Sequence, residues 1–258
     1  MRILVKLGGT LLDEQSSLAR LAGELAELHG QGIELAVVHG GGRQMTRFLA
    51  ERGMESRFVN GLRVSSPEVI DALLMVLAGR LNHTLVAALV GAGARAVGLS
   101  GIDGLLVEAE PLDPALGAVG RPQRWNTELL PLLATHGYLP VVACLAGDRQ
   151  GNVYNVNADQ MAVACAAAFG AERLLLLTDV NGVRDQSGNV VGTLDWRGAS
   201  RLIQDQVATG GMLAKLKAAH QALEQGIAEI RILPGAEPRL MERVLRGEAL
   251  GTRLVRSL

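Results

Sequence analysis

One short stretch, ELAVVHGGG at residues 34–42, limits the folds open to this chain more than any other. Residues 35–38 are an apolar, partly β-branched run, which predicts a buried strand. Three glycines follow at once, and the residues after them return to helical spacing. Glycines let the backbone approach a ligand closely, and a helix start offers unpaired N–H groups to an anion. The stretch is therefore a candidate anion site, although a tight turn without a ligand would use the same residues.

The N-terminus repeats this arrangement. Residues 2–7 predict a strand that carries Lys6 and runs into Gly8 and Gly9, and residues 16–28 predict the helix after it. Two strands that end in glycines early in the chain suggest two anionic groups held near each other, which favours a phosphate site over a simple turn. Neither stretch has the Walker pattern or the glycine spacing of a dinucleotide-binding motif.

Strands and helices alternate along most of the chain, which predicts a largely parallel sheet with helices on both faces. A chain of 258 residues with 48% hydrophobic residues can form one large α/β domain or two lobes. Asn60-Gly61 predicts a hairpin within residues 56–65. Residues 67–90 predict a long helix with more apolar positions than one core-facing stripe needs. Its surplus either faces a second subunit or is buried within the same chain.

Composition excludes several classes of protein. Aromatic residues make up only 3% and the formal net charge is −1, which argues against a nucleic-acid partner. We find no signal peptide, and no apolar stretch of membrane-spanning length lacks a charge or a glycine. Cys144 and Cys165 are expected to be buried reduced thiols rather than a disulfide or metal site. Together these features predict a soluble, cytoplasmic enzyme with no membrane partner.

The charged candidates suit phosphoryl transfer, which needs alignment of the reacting oxygens and positive charge on the transferred group. Lys6 and a lysine of the helix that opens at Gly210-Gly211, either Lys215 or Lys217, could hold a phosphoryl group from two sides. Asp159, in the first turn of a helix, could orient both lysines. A nucleophile elbow and metal-binding spacings are missing from the sequence, and His39 is expected to be a structural hydrogen-bonding residue.

Six motifs occur in order along nearly the whole chain: VKLGG (5–9), VHGGG (38–42), NGLRV (60–64), NVNAD (155–159), LTDVNGV (177–183) and TGGMLAK (209–215). With them the chain resembles the amino acid kinase family and, within it, the N-acetyl-L-glutamate kinases, for which NGLRV together with NVNAD is the more specific pair. The resemblance implies an α/β fold, a three-layer αβα sandwich with a central, mainly parallel sheet. It implies an N-terminal acetylglutamate-binding and dimerisation lobe (1–172) and a C-terminal ATP-binding lobe (173–258).

The resemblance also implies roles for individual residues. Lys6 and Lys215 would stabilise the transition state, with Asp159 organising them, which leaves Lys217 outside the motif. The substrate-binding residues would be Gly41, Gly42, Arg63 and Asn155, although by residue type alone Arg63 would be a solvated hairpin arginine. The nucleotide-binding residues would be Gly8, Gly9, Asp179, Val180, Asn181, Gly182, Val183, Arg184, Val207, Ala208 and Thr209.

The activity implied is the phosphorylation of the acetylglutamate side-chain carboxylate by ATP with Mg²⁺, the second step of arginine biosynthesis. No protein ligand to the metal is predicted. The resemblance further implies a homodimer formed through the long helix, and an enzyme that arginine does not inhibit, because the first strand starts at residue 2. Two alternatives stay open: a related kinase for a carrier-linked aminoadipate or glutamate, and a non-catalytic ligand sensor.

Overall fold

The structure is a computed structural model and describes residues 1–257. The strands are β1 (Arg2–Leu7), β2 (Glu34–His39), β3 (Phe58–Val59), β4 (Leu62–Arg63), β5 (Ala96–Ser100), β6 (Val107–Pro111), β7 (Gly120–Trp125), β8 (Leu139–Ala143), β9 (Leu145–Gly147), β10 (Val153–Asn155), β11 (Arg173–Thr178), β12 (Thr193–Asp195), β13 (Glu229–Pro234) and β14 (Thr252–Val255).

The α-helices are α1 (Gln15–Gly30), α2 (Gly42–Ala50), α3 (Pro67–Leu73), α4 (Asn82–Gly91), α5 (Leu129–Thr135), α6 (Ala158–Phe169), α7 (Trp196–Gln204), α8 (Gly210–Glu224) and α9 (Leu240–Leu245). A π-helical segment, Leu74–Leu81, joins α3 to α4. Short 3₁₀ turns lie at Gly9–Leu12, Asp103–Leu105 and Pro114–Leu116.

An eight-stranded sheet in the order β12-β14-β13-β11-β1-β2-β8-β5 forms the centre of the molecule. All neighbouring strands in it pair in parallel except β13 and β14. A four-stranded sheet, β10-β9-β6-β7, and the β3–β4 hairpin stand apart from it. The prediction of a mainly parallel central sheet is confirmed. The proposed lobe boundary falls just before β11, within this continuous sheet, and stays a prediction.

Alternation along the central strands explains the three layers, because successive side chains of a strand point to opposite faces. In β1, Leu4 packs into the core beneath α5, α6 and α8, whereas Ile3 and Val5 pack beneath α1, α3, α4 and α9. Both cores consist mainly of aliphatic side chains, and each core-facing strand residue named here is fully buried. The αβα sandwich therefore follows from strands that are apolar on both faces.

The long predicted helix exists but is not uniform. Its N-cap is Ser66, whose Oγ accepts from the Val69 N–H, and Pro67 occupies the first turn. The π-helical segment in its middle was not predicted, because hydrophobic spacing does not distinguish one wider turn. By length and composition alone, the run Pro67–Gly91 could cross a membrane, with a mean hydropathy of 1.7. In the most apolar part of this run, 39% of the residues are buried inside the protein. Leu85 and Leu89 are fully buried against the core, and a core helix can have the same length and hydropathy as a membrane-crossing one.

Four strand assignments differ from the sequence prediction. The apolar run of residues 139–145 predicts one strand, but the chain leaves the central sheet at Cys144 and continues as β9 in the smaller sheet. β10 and β12 were not predicted, and both have only three residues. β7 lies where a loop was expected, since its residues 121–124 (RPQR) carry little apolar pattern. It is the edge strand of the smaller sheet, where proline and charged residues are tolerated.

Candidate active site

The order of the central strands places the site. After β1 the chain continues to β2 on one side of β1, whereas β11 lies on the other side and is followed by strands that lie further out on that side. The connections after β1 and β11 therefore leave the neighbouring carboxyl ends of these two strands in opposite directions. Such a switch point leaves a crevice beyond the sheet, which is where ligands bind in open α/β folds. Gly8, Gly40 and Asp179 all follow strands that end here. The two glycine turns that the sequence marks as candidate anion-binding turns therefore lie at this edge.

Two lysines meet one carboxylate at the base of the crevice. Lys6 Nζ lies 2.9 Å from Asp159 Oδ1, and Lys215 Nζ lies 3.1 Å from Asp159 Oδ2. The Lys6 and Asp159 side chains are each 6% exposed, and that of Lys215 is 14% exposed. Lys217, two residues further along α8, is exposed. Lys215 and Lys6 therefore share Asp159 as their common partner, which is the arrangement that the predicted organising role of Asp159 requires.

Local structure explains how Asp159 reaches this position. The Asn157 side chain caps α6 by accepting from the backbone N–H groups of Asp159 and Gln160 at 2.9 and 3.3 Å. This cap fixes the first turn of α6, so that the carboxylate points back toward the carboxyl end of β1. Lys215 lies in the second turn of α8, which begins after Thr209. Two helix starts and one strand end therefore supply the three charges.

Electrostatics within this cluster favour the ionised form of Asp159. Burial alone would raise the pKa of its carboxyl, but the charges and hydrogen bonds of Lys6 and Lys215 outweigh burial and hold that pKa below its usual range. Burial and the nearby positive charge of Lys6 lower the pKa of Lys215, and Asp159 opposes both effects. Two ammonium groups against one carboxylate leave one net positive charge in a poorly hydrated place. Such a site favours an incoming anion.

The two glycine turns lie side by side above this cluster. A Cβ on Gly9 would lie 3.3 Å from both N and Cα of Gly41, and a Cβ on Gly40 would lie 3.3 Å from the Ala158 Cβ. A Cβ on Gly41 would lie 2.3 Å from Leu77 Cδ2, which belongs to the π-helical segment. A side chain at any of these positions would push against its neighbours, so glycine lets the two turns approach each other closely.

Arg63 is not the solvated hairpin residue that its type suggests. It is 7% exposed, and its Nη2 donates to Gly42 O at 3.0 Å and to Thr46 Oγ1 at 2.8 Å. Its guanidinium lies over the Phe58 ring, and burial lowers its pKa from the usual value. The hairpin predicted from Asn60-Gly61 is present, with Asn60 at a φ of 50°. That hairpin brings Arg63 beside the second glycine turn.

Asn155 joins the same wall through a residue that sequence reasoning missed. Its Nδ2 donates to Ser65 Oγ at 3.0 Å, and Ser65 Oγ donates to the Arg63 carbonyl at 2.9 Å. Ser65 is fully buried. By sequence, Ser65 and Ser66 are equally plausible caps for the helix that follows, and Ser66 is the one that caps it. Its position directly after the hairpin was the available signal, but the partner from β10 lies 90 residues away.

These residues line a cleft of about 380 Å³. Its lining includes Lys6, Gly9, Gly41, Gly42, Arg63, Asn155, Asp159 and Lys215. The predicted catalytic and substrate residues therefore all meet in one cleft, together with Gly9 from the predicted nucleotide set. Cys144 also reaches the lining, but burial raises the pKa of its thiol to about 12, so it is an unreactive thiol there. Cys144 and Cys165 are both buried and free, as predicted.

The other predicted nucleotide residues lie outside the lining of this cleft, within the described residues 1–257. Asp179, Val180 and Asn181 are exposed directly after β11, and Gly8 is tied to that strand by its N–H, which donates to Leu177 O at 3.0 Å. Val183 is buried, and its N–H donates to Thr252 Oγ1 at 2.8 Å. The remaining ones are Gly182, Arg184, Val207, Ala208 and Thr209, which occupy the loops after β11 and before α8.

Comparison with known proteins identifies the fold family. The sequence model described as "Amino acid kinase family" matches residues 1–234, most of the chain. The chain belongs to the amino acid kinase family. An acetylglutamate kinase of Solibacter usitatus (strain Ellin6076) is 59% identical over 255 residues, covering 99% of both chains. One of Koribacter versatilis (strain Ellin345) is 41% identical, again over 99% of both.

Solved structures agree with membership of the amino acid kinase family. N-acetylglutamate synthase of Neisseria gonorrhoeae, in complex with coenzyme A and N-acetyl-glutamate, superposes with a TM-score of 0.88 at 25% identity, over 100% of this chain and 60% of that one. The protein smu.665 of Streptococcus mutans UA159 gives 0.84 at 25% identity, over 98% of each chain. A carbamate kinase of Giardia gives 0.72 at 14% identity over 98% of each chain, which shows the shared fold alone. The predicted fold class is confirmed.

Proposed function

We propose that this protein is an acetylglutamate kinase, which transfers the γ-phosphoryl group of ATP to the side-chain carboxylate of N-acetyl-L-glutamate. The observation that carries the proposal is the Lys6–Asp159–Lys215 cluster at the base of the cleft, with two ammonium groups on one buried carboxylate. A site built to stabilise the charge of a moving phosphoryl group needs this surplus of positive charge. The relatives that carry the same name over 99% of their length support the choice of acceptor.

The reaction needs no general base, because the attacking group is already a carboxylate. One carboxylate oxygen forms a bond to the γ-phosphorus while the bond from that phosphorus to the β–γ bridging oxygen breaks. The electron pair leaves with ADP, and the product is N-acetyl-L-glutamyl 5-phosphate. Lys6 and Lys215 stabilise the negative charge on the phosphoryl oxygens, and Asp159 keeps the two ammonium groups at fixed positions. Positioning and charge together perform the catalysis.

The acceptor binds along the wall that joins the second glycine turn to the hairpin. Backbone N–H groups of Gly41 and Gly42 receive the side-chain carboxylate, where the start of α2 provides unpaired donors. Arg63 and Asn155 bind the α-carboxylate at the far end of the substrate. Arginine suits this role because its planar fork matches a carboxylate with two hydrogen bonds.

ATP binds across the rim formed by the loops after β11 and before α8, with its phosphates toward Gly8 and Gly9. Mg²⁺ would be held by those phosphates, where it would supply further positive charge. No group of three or more His, Cys, Asp or Glu side chains lies together within residues 1–257, and both Asp159 oxygens face lysines. This donor set fits a metal held mainly by substrate phosphates and water.

The enzyme would act in the cytoplasm, where it would catalyse the second step of arginine biosynthesis.

A homodimer is part of the proposal. The long helical run keeps an apolar outer face: Met75 is 61% and Val90 is 53% exposed, although both lie on an apolar helix. Covering such a face in water stabilises an assembly in proportion to the apolar area removed. The proposed occupant is the same face of a second copy, related by a two-fold axis.

The deciding experiment measures ADP release with MgATP and four separate acceptors: N-acetylglutamate, glutamate, aspartate and N-acetylaminoadipate. Hydroxylamine is added to trap an acyl phosphate as a hydroxamate. We expect turnover and hydroxamate with N-acetylglutamate alone. Turnover with another acceptor would keep the lysine cluster and discard the assignment of Arg63. The absence of turnover with all four would favour a carrier-linked substrate or a ligand sensor instead.

A further inference from the structure

The proposed reaction depends on how two backbone turns are placed relative to each other. The first turn, at Gly9, approaches the phosphates, and the second, at Gly41, receives the attacking carboxylate. The strands that carry them pair in parallel, with Lys6 opposite Val38 and Leu7 opposite His39. In-line transfer requires the attacking and leaving oxygens to be aligned, so the spacing of the two turns sets the reaction geometry.

One side chain bridges these two turns. Gln44 lies in the first turn of α2, directly after the second glycine turn, and its Nε2 donates to Gly9 O at 2.9 Å. Because a carbonyl only accepts, the amide nitrogen must face Gly9, and the amide oxygen then points into the space between the turns. That oxygen lies 3.4 Å from the position of a Cβ on Gly9 and 3.7 Å from that of a Cβ on Gly41.

The Gln44 amide is poorly explained as a packing residue. Its Oε1 is buried and has no hydrogen-bond partner within residues 1–257. An unpaired buried acceptor destabilises a fold, and an apolar side chain of similar size would remove that defect. An apolar side chain at this position could not make the hydrogen bond that links α2 to the first glycine turn. The amide therefore serves the spacing of the turns more than the stability of the fold.

We propose that Gln44 is a positioning residue for phosphoryl transfer, which sets the distance between the phosphate-facing turn at Gly9 and the acceptor-facing turn at Gly41. The inference rests on the proposed function. Each turn binds its own ligand without Gln44, because the strands and helix starts that present the backbone donors are unchanged. Loss of Gln44 therefore impairs alignment in the ternary complex rather than either binding event.

Two substitutions separate this role from a structural one. Gln44→Leu keeps the volume and removes the donor, and Gln44→Glu keeps the shape but places a second acceptor against Gly9 O. We expect kcat to fall by about 10-fold in the first and about 100-fold in the second, since a misplacement of roughly 1 Å can have an effect of that size. The KM values for ATP and acetylglutamate should change by less than about threefold, because ground-state binding is retained.

A second readout reports alignment directly. When the carboxylate is misplaced, water competes for the γ-phosphoryl group, so the ratio of ADP released to hydroxamate formed should rise above that of the unmodified protein. The matched control is Gln31→Leu, which makes the same substitution at an exposed position at the end of α1. Its kcat and its product ratio should equal those of the unmodified protein.

The outcomes distinguish a failure of the positioning role of Gln44 from a failure of the proposed kinase activity. If the unmodified protein forms the hydroxamate and both Gln44 variants keep its kcat and product ratio, Gln44 has no positioning role. If KM rises and the melting temperature falls together in Gln44→Leu, the residue is structural and the inference is overturned. If the unmodified protein itself forms no hydroxamate, the proposed function is overturned, and the inference built on it is overturned with it.

Discussion

At the scale of single residues, the site is defined by charge that the fold has removed from water. Lys6, Lys215 and Asp159 are all largely buried, and the carboxylate neutralises only one of the two ammonium groups. A buried surplus charge destabilises the empty protein and is relieved when a phosphate arrives. In the proposed reaction, ligand binding and catalysis therefore use the same surplus of positive charge.

The first residue-scale prediction concerns that imbalance. We expect Lys6→Ala to lower kcat by about 100-fold or more, since it removes charge that acts on the transition state. The matched control is Lys217→Ala, a lysine on the same helix as Lys215 but exposed to water, which should keep the activity of the unmodified protein. Steady-state kinetics of both variants decide the matter. A mild effect of Lys6→Ala would contradict the two-lysine mechanism.

The second residue-scale prediction concerns Arg63. Arg63→Lys keeps the charge but loses the planar fork that holds Gly42 O and Thr46 Oγ1. We expect the KM for acetylglutamate to rise by about 10-fold or more, with a smaller change in the KM for ATP, because bidentate charge-assisted contacts are strong. Separate titration of the two substrates measures this difference. An unchanged KM for acetylglutamate would remove Arg63 from the acceptor site.

At the scale of elements, strand β2 and helix α4 are joined by a buried polar contact. Asn82, the first residue of α4, directs its Nδ2 to His39 Nε2 at 3.1 Å and to Val141 O at 2.9 Å. His39 is fully buried and also contacts Gly40 O through Nδ1 at 3.0 Å. These contacts require a neutral ring with its proton on Nδ1. The prediction that His39 is a structural hydrogen-bonding residue is confirmed. Its partner Asn82 lies 43 residues away along the chain, so the sequence pattern around His39 did not indicate it.

Burial of His39 makes stability depend on pH. Burial lowers the pKa of His39 from 6.5 to about 4, and the Gly40 carbonyl opposes that shift. Between these values the unfolded chain binds a proton that the folded chain does not, so stability decreases as pH falls from 6.5 toward 4. The loss attributable to this residue is about 3 kcal/mol for a difference of that size.

Chemical denaturation at pH 7, 5.5 and 4 tests the dependence, with His39→Gln as the comparison, because glutamine does not titrate in this range. We expect the variant to lose less stability on acidification than the unmodified protein. Asp159 also titrates at acid pH, but it is present in both proteins, so the difference between them isolates His39. Parallel curves would show that His39 titrates alike in the folded and unfolded states.

At the scale of the whole molecule, the apolar outer face of the α3–α4 run predicts self-association. Met75→Glu places a charge in the centre of that face, where burying an unpaired carboxylate is strongly unfavourable. We expect light scattering to give a dimer for the unmodified protein and a monomer for this variant. Leu132→Glu is the matched control, because Leu132 is 55% exposed on α5, which packs on the other face of the sheet. A dimer that survives Met75→Glu would place the interface elsewhere.

Much of the architecture could be predicted from the sequence, because local physics determines it. The strands β1 and β2 have runs of apolar residues, the Asn60-Gly61 hairpin has the residues its turn requires, and Asn157, which caps α6, is a residue type that helix caps prefer. The short strands β10 and β12 and the edge strand β7 could not be predicted. Their residues form strands only because a neighbouring strand lies beside them, and which strands become neighbours cannot be read from a single sequence.

By itself the sequence determined the αβα class, the glycine turns, the choice of candidate lysines and the acidic residue between them, because periodicity and residue type act locally. The TGGMLAK motif already indicated Lys215 over Lys217, and the structure shows Lys215 against Asp159. Only the tertiary structure decided that Arg63 is buried and that Ser65, Asn82 and Gln44 connect distant segments. Those contacts join residues tens of positions apart. Their existence depends on the order of strands in the sheet, and the side-chain directions that follow from it decide which polar groups share the cleft.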